Sequence, residues 1–79
     1  MKLTNDEPFV GSRNGVRQIT ATMSSGTATL YALAGSKTGT AIAVTDGALT
    51  ADGIISFYAM SDQWYKLTLT GDAEAWIAG

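Results

Sequence analysis

The sequence predicts an all-β protein, a small antiparallel β-sandwich or barrel of about six to seven short strands. Turn dipeptides bearing glycine recur at short intervals, among them Asn14-Gly15, Ser25-Gly26, Asp46-Gly47, Asp52-Gly53 and Gly71-Asp72, with the longer "GSKTGT" from Gly35 to Thr40. Such pairs supply the positive φ that tight turns require. Between them lie runs of about 4 to 9 residues rich in Thr, Val, Ile, Leu and aromatics, too short for stable helices and composed as strands are.

The expected strands are Val16 to Met23, Thr27 to Ala34, Thr40 to Thr45, Ile54 to Met60, Gln63 to Thr70 and Ala73 to Ala78, with a short one near Phe9. Ser61-Asp62 is a weaker turn signal between the fourth and fifth. The opening "MKLTNDEP" contains the only proline and reads as an arm over residues 1–8. Asn5 and Glu7 hint at a helix start, but Pro8 leaves no room for one. Nothing divides the chain, so residues 1–79 form one β domain.

Length and composition narrow the function. A domain of 79 residues buries only about 60 % of the surface its unfolded chain exposes, and is marginal without help. The chain has no cysteine and no histidine, which excludes disulfides and leaves only carboxylates for a metal site. Oligomerisation is the remaining support. Five basic residues against seven acidic ones, a net charge of -2, give no field for phosphate neutralisation, so nucleic acid is not an expected partner. "MKLTNDEPFV" has one lysine and no apolar run behind it, so neither a secretory signal nor a membrane anchor is expected there.

Because alternate strand residues face opposite sides, parity sorts each run into two faces. Tyr65, Leu67 and Leu69 form an apolar stripe, which puts Trp64 with Lys66, Thr68 and Thr70. Ala73, Ala75 and Ile77 oppose Asp72, Glu74, Trp76 and Ala78, so Trp76 also sits on a polar face. The run from Ile54 to Met60 is apolar on both sides apart from Ser56, as in a strand covered twice. Thr27 to Ala34 also has no polar face, since Ala28, Leu30, Ala32 and Ala34 oppose Thr29, Tyr31 and Leu33. The chain has more apolar strand faces than one two-layer core can bury, and association is the expected solution.

Trp64 and Trp76 admit three readings. They return to the core through a twist or bulge, they are buried between subunits, or they stack sugars while Asp62, Lys66, Asp72 and Glu74 bind hydroxyls. Asp6 with Glu7, Asp46 with Asp52, and Asp72 with Glu74 have neither the convergence calcium needs nor the spacing a glycosidase needs. Arg13 and Arg17 flank Asn14-Gly15 and read as a solvated hairpin tip or a grip on an acidic partner. Triads built on histidine are excluded by composition, and no nucleotide-binding glycine motif is present. No enzyme and no cofactor is expected.

The series "ITATMSSGTATLYALAGSKTGTAIAVTDGALTADGIISFYA" and the close "DQWYKLTLTGDAEAWIAG" resemble the small, acidic, cysteine-free β proteins of tailed-phage virions, in particular capsid decoration or cement proteins. The resemblance implies a noncatalytic virion protein, assembled in the host cytoplasm. Such a protein associates with copies of itself, a trimer being favoured, and with other virion proteins such as the major capsid protein. Trp64, Trp76, Tyr31 and Tyr58 are then the leading interface anchors, with Arg13 and Arg17 beside them. Attachment to a tail or fibre is a sibling expectation, and a carbohydrate- or receptor-binding β module using exposed tryptophans is the alternative from another class.

Overall fold

The computed structural model describes residues 1–44 and 47–78. Eight strands appear in them: β1 (Lys2–Leu3), β2 (Phe9–Val10), β3 (Gly15–Thr22), β4 (Ala28–Leu33), β5 (Ala41–Ala43), β6 (Gly53–Ala59), β7 (Trp64–Leu69) and β8 (Glu74–Ile77). They form a sandwich of two antiparallel four-stranded sheets, the first ordered β1-β8-β3-β6 and the second β2-β7-β4-β5.

The expected runs all appear, shifted or trimmed by a residue or two at their ends; Thr45, the expected end of the third, lies outside the described residues. The turn dipeptides behave differently from tight hairpins. Only β4 and β5, joined through "GSKTGT", are consecutive strands paired in one sheet. Asn14-Gly15, Ser25-Gly26, Ser61-Asp62 and Gly71-Asp72 instead carry the chain from one sheet to the other. The positive φ expected of glycine is present at Gly15, Gly26, Gly35, Gly47 and Gly71 but not at Gly53, which opens β6, so local conformation mostly follows the sequence while pairing is long-range. β3 pairs with β6 and β8, and β4 with β7.

Parity sets the core. Ile19 and Ala21 of β3, Ile55, Phe57 and Ala59 of β6, and Ala75 and Ile77 of β8 meet Ala28 and Leu30 of β4 and Tyr65 and Leu67 of β7. Ile19, Leu30, Leu67 and Ile77 are the largest side chains sealed from water, each worth about 1.5–3 kcal/mol of burial. Tyr65 joins the layers: its ring meets Phe57 edge-on at 5.3 Å and Phe9 at 5.9 Å between centroids, and its hydroxyl accepts the Met60 amide at 3.0 Å.

The N-terminal segment is not an arm. Lys2 and Leu3 pair with Trp76 and Ala75, and Leu3 enters the core. The chain then crosses to the second sheet, where the Asp6 amide donates to the Leu67 carbonyl at 2.9 Å and the Asn5 side chain accepts the Leu69 amide at 2.8 Å. A two-residue strand has no alternation to recognise, which is why the sequence hides β1.

Arg17 corrects a second expectation. It shares the inward parity of Ile19 and Ala21 and is only 5 % exposed, so it is neither a solvated hairpin tip nor a surface anchor. Its Nη1 donates to the Gly11 carbonyl at 3.0 Å and the Ser12 hydroxyl at 3.3 Å, and its Nη2 to the Ala78 carbonyl at 2.8 Å. These bonds tie the ends of β2 and β8 to β3. Its Nε is buried and has no hydrogen-bond partner among the described residues. Arg13, by contrast, is exposed.

Candidate interaction face

The outer face of the first sheet is set by the residues left over from the core. In β3 these are Val16, Gln18, Thr20 and Thr22; in β6, Ile54, Ser56 and Tyr58, with Met60 continuing the parity; in β8, Glu74 and Trp76; and in β1, Lys2. Register assembles them into rows across the strands. One row runs Lys2, Trp76, Thr20, Ile54, and another pairs Val16 with Tyr58. Between the rows Gln18 donates its side-chain amide to the Ser56 hydroxyl at 3.2 Å.

Five apolar side chains stand on this face in water: Val16 (65 % exposed), Tyr58 (63 %), Ile54 (57 %), Met60 (46 %) and Trp76 (38 %). Single exposed hydrophobics need no explanation, but a neighbouring set on one sheet does. The charge lies at one margin. There Lys2 reaches Glu74 at 2.7 Å and stands 5.8 Å from the centre of the Trp76 ring. Two apolar groups, a satisfied Gln18–Ser56 polar pair between them and charge at one margin give the mixture of apolar and polar area found at protein interfaces.

β6 therefore departs from the expectation that both its faces are covered. Phe57 and its neighbours are buried, while Ile54, Tyr58 and Met60 are open. Of the six residues singled out from the sequence, Trp76 and Tyr58 belong to this face. Val16, Ile54 and Met60 complete it and were not singled out, although their parity opposite the core residues carries the signal.

Trp64 and Tyr31 lie elsewhere, on the outer face of the second sheet. Trp64 is half-buried, and its registered neighbour Leu33 is buried although it points away from the main core. Tyr31 has the Lys66 ammonium 5.9 Å from its ring centre, and Lys66 in turn lies 3.9 Å from Asp6, which accepts the Thr68 hydroxyl at 2.6 Å. Trp64 and Trp76 thus occupy opposite sides of the sandwich. A shared sugar platform is not available to them.

Two of the carboxylates, Asp72 and Asp52, hold loops. Asp72 accepts the Ser24 and Ser25 amides at 2.9 Å each and also bonds the Ser24 hydroxyl, and Asp52 accepts the Met23 amide at 2.7 Å. The Ser24 hydroxyl, followed by the amide bonds, holds the Asp72 pKa below the ordinary aspartate range. Asp46 lies outside the described residues. Among the described residues no three acidic side chains converge as a metal site would require, and no helix is long and apolar enough to cross a membrane.

No protein-family model matches the chain, and no curated protein or solved structure matches it.

Proposed function

We propose that the protein is a noncatalytic structural subunit of a phage virion, a decoration or cement protein that associates with copies of itself and with other virion proteins such as the major capsid protein. The observation that carries self-association is the neighbouring set Val16, Ile54, Tyr58, Met60 and Trp76 on the outer face of the first sheet. Support for a virion setting comes from the sequence resemblance.

Magnitudes favour a lattice component over a tight isolated complex. Full burial of one such side chain yields about 1.5–3 kcal/mol, and these five are partly buried already, so one face supplies on the order of 5 kcal/mol and two opposed faces on the order of 10 kcal/mol. Losing translational and rotational freedom costs about 4–15 kcal/mol. One contact of this kind is weak, whereas many copies held side by side on a shell gain from effective concentration. A small β protein that binds as part of an array fits that arithmetic.

The test is a charge placed in the face. Trp76→Lys should lower self-association while leaving the far-ultraviolet circular dichroism of the β fold intact. Undiminished association in a folded Trp76→Lys protein would remove this face from the account.

A further inference from the structure

Each sheet of an open sandwich has two edges, and natural β proteins guard them with short strands, prolines or charges. Among the described residues, three of the four edges here are guarded. β1 and β2 are two residues long, with Lys2 in the first and Pro8 ahead of the second, and β5 has three residues. The fourth is different. β6 runs seven residues, "GIISFYA", without a charge or a proline, and its backbone pairs only with β3. No other backbone bond reaches Gly53 to Ala59 among the described residues.

Resting on the self-association reading, we infer that the β6 edge is the site where a second copy of this chain docks, strand to strand and antiparallel, joining two first sheets into one continuous eight-stranded sheet. The pairing is two-fold and centred on Ser56, the midpoint of β6. Ser56 then faces its own copy, Ile54 faces Tyr58 of the second chain, and Gly53 faces Ala59.

Three observations select a second copy as the occupant. The strand is neutral throughout, so apposing it to itself brings no like charges together. The central register matches all seven residues and places a β-branched side chain against an aromatic one on the outer face, a favoured cross-strand pair. It also brings the exposed Ile54 and Tyr58 of the two chains side by side across the junction, so the two outer faces become one larger face that stays open for the face contacts proposed above. A ring of three copies joined head to tail would need a second long edge to receive β6, and the other edges are two or three residues long. The two-fold arrangement needs β6 alone.

The absence of cysteine makes the register directly testable with single-cysteine variants. Directly opposed residues in an antiparallel pair have Cβ atoms about 4.5–5.5 Å apart, close to disulfide geometry. Gln18 lies one strand inward, so two copies of it would be separated by three strand spacings, about 14 Å. Ser56→Cys should form a disulfide-linked dimer under mild oxidation, Gln18→Cys should not, and Ile54→Cys should link to Tyr58→Cys when the two are mixed. Light scattering of the reduced proteins runs alongside. Oligomer mass with an unlinked Ser56→Cys, or with Gln18→Cys linking equally well, overturns the edge pairing and leaves self-association standing. Monomer mass at every concentration with no linkage overturns both.

Discussion

Val16 and Tyr58 are registered neighbours on β3 and β6, and each keeps nearly two thirds of its surface in water, at 65 % and 63 % exposure. A valine beside a tyrosine on a sheet face is ordinary when another layer covers them. Replacing Tyr58 by Lys should weaken self-association by about 10- to 100-fold, the equivalent of one lost apolar anchor. Sedimentation equilibrium of the variant beside wild type reads the change directly. Thermal stability of the monomer should stay close to wild type, since exposed substitutions move it little.

Much of this face was legible in the sequence, because parity separates Trp76 and Tyr58 from the core side chains. Two physical facts lay beyond it. Consecutive strands β7 and β8 belong to different sheets, so parity alone could not tell that Trp64 and Trp76 point in opposite directions. Whether an apolar face is covered also depends on the layer opposite, and β6, apolar on both sides, has only one. Arg17 is a different case. Its parity with Ile19 pointed inward, but its charge argued for solvent, and the geometry of the Gly11 and Ala78 carbonyls decided the matter.

Arg17 should matter for folding more than for association. Arg17→Ala leaves the Gly11 and Ala78 carbonyls without their donor, and a hydrogen bond to a charged group is worth about 1.5–3 kcal/mol. The expected loss is about 2–4 kcal/mol in urea denaturation. Arg17→Met should cost less than Ala, because both remove the buried charge and only Met keeps much of the packing volume.

Gly26 and Gly71 meet where the β3–β4 and β7–β8 connections cross. A Cβ on Gly26 would stand 2.0 Å from the Thr70 carbonyl oxygen, and its φ of 97° already disfavours side chains. Gly35, with φ of 77°, has open space around it. Both alanine variants should therefore be destabilised by backbone strain of about 1–2 kcal/mol, and Gly26→Ala by more, because backbone must move. Comparing their denaturation midpoints isolates the steric part.

Acid should loosen the same corner. The Asp72 pKa is lowered in the folded protein by the Ser24 hydroxyl and the Ser24 and Ser25 amides, so the folded state holds its proton less tightly than the unfolded chain does. The stabilisation is complete above the unfolded value and is lost as pH falls through the lower folded value. Asp72→Asn should flatten the decline in stability below about pH 4, near the ordinary aspartate pKa, compared with wild type. An unchanged acid limb would mean that the Asp72 bonds do not contribute.

The proposed role as a structural subunit requires this chain to self-associate. Its most direct test is the solution mass of the purified protein, by size-exclusion chromatography with light scattering across a concentration series. The account predicts a mass that rises with concentration toward a defined oligomer. A mass fixed at the monomer value of 8.2 kDa over the whole series would contradict it.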